Sequence, residues 1–93
     1  MPSWKKHLLR MLQSPRGVGF RYDEAAVILR ALAFAEDGGA SSHRKWRRLL
    51  PSGQTVYIGL CDNGHRELKA VYVKDMLRAL REHHLIPADL TDE

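Results

Sequence analysis

Two strand-like runs, Ser42 to Leu49 and Gln54 to Leu60, flank the turn-forming triplet Pro51-Ser52-Gly53, and this hairpin constrains the fold more than any other feature. In the second run Val56, Ile58 and Leu60 alternate. They therefore share one face of a strand and send Thr55, Tyr57 and Gly59 to the other. The first run sets one aromatic residue among cations. That residue, Trp46, is the expected core anchor, which turns His43, Lys45 and Arg47 to the opposite face. The pairing thus predicts that His43 and Tyr57 lie on the same side of a small sheet.

Helical periodicity surrounds the hairpin. Ser3 is placed to cap a helix running to about Gln13, with Trp4, Leu8, Met11 and Leu12 as its apolar stripe and Lys5, Lys6 and Arg10 facing water. Ser14-Pro15, Gly17 and Gly19 end it. Residues 1–16 therefore read as a helical extension docked on a core spanning residues 22–86. Tyr22 or Asp23 opens a second helix, in which Ala25, Ile28, Leu29 and Leu32 recur at helical spacing and Glu24 sits in the first turn. It ends near Ala33 to Phe34, before a short strand and the Gly38-Gly39 turn. A last helix covers about Val71 to His83, with Val73, Met76, Leu77 and Leu80 inward and Lys74, Arg78 and Arg81 outward. Residues 87–93 are expected to form a frayed tail. With 93 residues the chain makes one domain. The predicted class is α+β: two layers, with helices packed on one face of a three-stranded antiparallel sheet and the other face open.

Charge narrows the partners. Lys and Arg outnumber Asp and Glu by 15 to 11, and the excess is clustered. Met1 to Arg21 holds five basic residues and no acid, and residues 43 to 48 add four more. A locally basic face calls for a polyanion or an acidic protein. One cysteine, Cys61, excludes an internal disulfide and fits a reducing compartment. No apolar run approaches membrane-spanning length, and the N-terminus lacks a secretory hydrophobic core, so a cytoplasmic protein with no membrane partner is expected.

The segment Gly38-Gly39-Ala40-Ser41-Ser42-His43-Arg44-Lys45-Trp46-Arg47-Arg48 carries the candidate chemistry. Small residues allow a phosphate to come close, an imidazole moves protons near neutral pH, and the flanking cations attract a polyanion. Together they suit a phosphodiester, with RNA the leading substrate. Lys45, Arg47 and Arg44 are the candidate phosphate-binding cations, and Tyr57 is placed to stack on a base. The proton donor is left open among His65, Lys45 and water. Cys61, Asp62 and His65 in one loop lack a second ligand pair, so neither a metal site nor a cofactor is expected. His83-His84 ends a helix, where positive charge complements the dipole.

Element order, Ser42-His43 after a glycine turn, a basic strand bearing an aromatic, and Arg66-Glu67-Leu68-Lys69 leading into Val71-Tyr72-Val73-Lys74-Asp75-Met76-Leu77 together resemble the HicA family. The resemblance spans roughly Tyr22 to Ile86, and the N-terminal helix is an extension also seen in longer relatives. It implies a fold similar to a double-stranded-RNA-binding domain. It further implies metal-independent cleavage of messenger RNA, as the toxin of a type II toxin–antitoxin pair, with a HicB-type antitoxin covering the active face. The family's catalytic histidine corresponds to His43 and its preceding serine to Ser42. Ser41 stands where the family usually has glycine, and Gly39 lies upstream. The expected site is thus His43 for catalysis, with Ser42, Arg44, Lys45, Arg47 and Tyr57 contacting RNA. Two alternatives use the same face: an RNA-binding module without catalysis, and a basic adaptor for an acidic partner protein.

Overall fold

The computed structural model describes residues 3–37, 43–62 and 66–90. Helix α1 (Ser3–Leu12) and helix α2 (Tyr22–Ala31) precede strands β1 (Ala35–Asp37), β2 (His43–Leu49) and β3 (Thr55–Cys61). Helix α3 (Ala70–Glu82) and a short 3-10 turn (Ala88–Leu90) complete the chain. The strands form one antiparallel sheet in the order β1-β2-β3. The helices lie on one face of it, so the two-layer α+β architecture is the one that the sequence pattern predicts.

The hairpin closes around Pro51-Ser52-Gly53. Leu50 N–H donates to the Gln54 carbonyl at 2.8 Å, and Gly53 N–H donates to the Leu50 carbonyl at 2.9 Å. Gly53 has φ +92, a value that glycine adopts without steric cost, so the loop needs it. This closure fixes the register in which His43 faces Cys61, Lys45 faces Gly59 and Arg47 faces Tyr57. Gln54, expected as the first strand residue, belongs to the turn. At the other end Cys61, expected in the loop, is the last residue of β3 because the ladder runs on to pair it with His43.

Both α2 and α3 end in the same device. Phe34 N–H donates to the Leu29 carbonyl at 2.9 Å and Ala33 N–H to that of Arg30 at 3.1 Å. Leu85 N–H donates to the Leu80 carbonyl at 2.9 Å and His84 N–H to that of Arg81 at 3.2 Å. These are Schellman pairs, which need a left-handed residue after the helix. Ala33 (φ 68) and His84 (φ 55) hold that conformation although neither is glycine. His84 is therefore a helix-terminating residue.

Helix α1 packs with its stripe inward: Leu8 and Met11 are fully buried among core residues of α2 and α3, because the stripe faces into the same apolar layer. One expectation is revised: the chain after Pro87 is not frayed as far as Leu90. Residues 88–90 form the 3-10 turn, Leu90 is buried, and Lys5 Nζ lies 3.0 Å from Asp89 Oδ2, so apolar burial and an ion pair tie this end to α1. Residues 91–93 lie outside the described residues.

Candidate functional site: the open face of the sheet

Strand β2 alternates one cation inward, one cation outward, around Trp46. Its even-numbered residues face the helices. Trp46 is fully buried, and Val56, Ile58 and Leu60 of β3 lie beside it in the core. Trp46 Nε1–H donates to the Tyr22 hydroxyl at 3.2 Å, and that hydroxyl donates to Glu36 Oε2 at 3.2 Å. Burial, first of all, pushes the Tyr22 phenol above its ordinary value, and the Glu36 carboxylate adds to the rise. Glu36 also receives Arg44 Nη1 at 3.3 Å and has Arg30 at 3.8 Å, while the Arg30 guanidinium lies 5.2 Å from the Trp46 ring centre. Arg48 donates to the Leu32 carbonyl at 3.0 Å, satisfying an orphan acceptor at the end of α2. Both even-numbered cations are thus engaged in holding α2 and β1 to the sheet.

The odd-numbered residues lie on the opposite face. His43, Lys45 and Arg47 are all exposed, as is Tyr57 on β3 at 59%. Lys45 Nζ sits 5.5 Å from the centre of the Tyr57 ring. Among the described residues neither Lys45 nor Arg47 has a carboxylate oxygen within ion-pair distance. Asp37 is the cross-strand neighbour of Lys45 in β1, and both point away from the core. Along β2 and β3 the face presents four rows, His43/Cys61, Lys45/Gly59, Arg47/Tyr57 and Leu49/Thr55, spaced about 7 Å apart along the strands. A cleft of about 290 Å³ is lined by His43, Lys45, Tyr57 and Gly59 of the open face together with Arg44, Leu60 and, from α3, Tyr72 of the covered side.

Not every predicted site residue joins this group. Lys45, Arg47 and Tyr57 share the face with His43. Arg44 borders the cleft but stands on the covered-face parity, half-buried and bonded to Glu36. Ser42, the glycine turn upstream of it and His65 lie outside the described residues. Cys61 is buried although its position in the ladder is an open-face one. Among the described residues no three His, Cys, Asp or Glu side chains converge as metal ligands, and no helix is long and apolar enough to cross a membrane. Sequence reasoning did not identify the Tyr22–Trp46–Glu36–Arg44 network or the part of Tyr72 in the cleft. For the first, the parity of Arg44 with Trp46 was the available signal. For Tyr72, a residue on a helix flank, periodicity offered none.

Comparison with protein-family models, with curated proteins and with solved structures returned no match to this chain.

Proposed function

We propose that the open face of the sheet binds RNA and that His43 cleaves it without a metal ion. The observation that carries this reading is an exposed imidazole in line with two exposed cations that, among the described residues, form no ion pair, beside an exposed tyrosine. A polyanion gains from such a row directly, through phosphate contacts to Lys45 and Arg47 and stacking on Tyr57.

In the proposed reaction His43 accepts the proton of a ribose 2′-hydroxyl. The 2′-oxygen attacks the adjacent phosphorus, the bond to the 5′-oxygen breaks, and that oxygen leaves with a proton taken from water. The products are a 2′,3′-cyclic phosphate and a 5′-hydroxyl end. Lys45 and Arg47 stabilise the charge that builds on the non-bridging oxygens. A positioned histidine base accounts for about 10²–10⁴-fold in rate. The order helix, three antiparallel strands, helix is compatible with a fold like that of double-stranded-RNA-binding domains. On the HicA resemblance the protein is a cytoplasmic messenger-RNA-cleaving toxin, and a HicB-type antitoxin covers the same face.

The test is incubation of unstructured RNA with the purified protein in excess chelator. Wild type should cut, and His43→Ala should lose at least about 100-fold in rate while keeping its thermal midpoint. Equal cutting by both proteins would remove His43 from the mechanism. A second reading, RNA binding without cleavage, is favoured by one observation: among the described residues no second imidazole lies on the open face. RNA retained but intact after long incubation would select it.

A further inference from the structure

Gly59 sits in the middle of β3, opposite Lys45, on the open face. Nothing in the fold explains a glycine there. Its φ lies outside the left-handed region, and a Cβ built on it would meet no atom within 4 Å. Gly17, Gly19 and Gly53 differ in this respect, since each has positive φ. A glycine inside a strand weakens it and leaves no side chain to pack across strands, so any β-former should serve the sheet better at this position. A strand glycine marks a bulge, a tight bend or a close approach by a ligand or another backbone, and the β2–β3 register runs unbroken through Gly59. Here the bare position lies between the His43/Cys61 and Arg47/Tyr57 rows, in the cleft bordered by His43, Lys45, Tyr57 and Tyr72.

We infer that Gly59 is the floor of a nucleobase slot. One base of the bound strand lies over the missing side chain, its flat face against the Tyr57 ring, while Lys45 holds the adjoining phosphate. The flatness of the floor, rather than hydrogen bonds to base edges, then selects for an unpaired base. A residue in duplex RNA cannot turn its base into the cleft without being unstacked. Gly59 is accordingly a specificity-determining position for single-stranded RNA. This inference rests on the RNA-binding reading of the same face.

The test substitutes Gly59→Val and Gly59→Ala in the full chain, and measures thermal midpoint and affinity for single-stranded oligoribonucleotides over a range of salt. The expected result is an unchanged or raised midpoint for both variants. Affinity should fall at least about 10-fold for valine and less for alanine, which is the size of one lost base stack. The slope of log affinity against log salt should stay as in wild type, because no phosphate contact is lost. Unchanged affinity in Gly59→Val overturns the slot. A lowered midpoint in both variants also overturns it, since the glycine is then required by the fold. If wild type itself binds no RNA, the RNA-binding reading fails and the slot with it, a result separate from either outcome in the variants.

Discussion

The covered and open faces of β2 carry the same kind of residue and use it differently. Arg44 and Arg48 point toward the helices and are engaged, one with Glu36 and the other with the Leu32 carbonyl. Lys45 and Arg47 point outward and, among the described residues, have no carboxylate within ion-pair distance. Guanidiniums on the covered face sit beside buried apolar surface, where an unpaired charge is costly, so partners must accompany them. Outward cations remain hydrated and need none for stability. The contrast teaches that a run of basic residues in a strand is two populations of alternating parity, one tied into the fold and one turned to solvent.

The largest effect that separates the faces is expected at Trp46. Trp46→Ala removes a fully buried ring from the covered side and should cost about 3–5 kcal/mol in denaturant unfolding. A loss below about 1 kcal/mol would show that the covered face is not the core side. Next comes Tyr22→Phe, which strips the hydroxyl joining Trp46 to Glu36 and should cost about 1–2 kcal/mol. The same variant has a pH signature. The Tyr22 phenol is raised in the folded protein, so its contribution to stability is complete below about 10, its unfolded value, and is lost as pH rises through the raised value. Stability in alkaline titration should therefore decline above about pH 10, and Tyr22→Phe should remove that part of the decline. A smaller and opposite effect is expected at Ala33→Gly. Relief of the left-handed strain should stabilise the protein by about 1 kcal/mol and raise its thermal midpoint by a few degrees. The smallest effect on stability belongs to the open face. Lys45→Ala and Arg47→Ala should each stay within about 0.5 kcal/mol of wild type.

Alternation was what made the sheet legible from sequence. Val56, Ile58 and Leu60 against Tyr57 and Gly59, with Trp46 as the aromatic anchor of its run, sufficed to orient both strands and to put His43 on the open side. Helix α3 was legible for the same reason, through Val73, Met76, Leu77 and Leu80. Periodicity carries no record of single long-range partners. The docking of Leu90 and the Lys5–Asp89 pair depend on two ends of the chain meeting, which no local pattern encodes. The engagement of Arg44 by Glu36 depends on β1, three residues long and too short to show alternation. Gly59 was visible only as a residue of the outward set. That the fold has no need of a glycine there follows from its backbone angles and from the empty space above it.

The division of β2 into an engaged and an available set is tested most directly by the salt dependence of RNA binding in four single variants. Lys45→Ala and Arg47→Ala should each reduce the slope of log affinity against log salt by about 0.7, the value for one lost phosphate contact on a single strand. Arg44→Ala and Arg48→Ala should leave that slope as in wild type and lower the thermal midpoint instead. A slope reduced equally in all four, or reduced only in the Arg44 and Arg48 variants, would contradict the assignment of RNA to the open face.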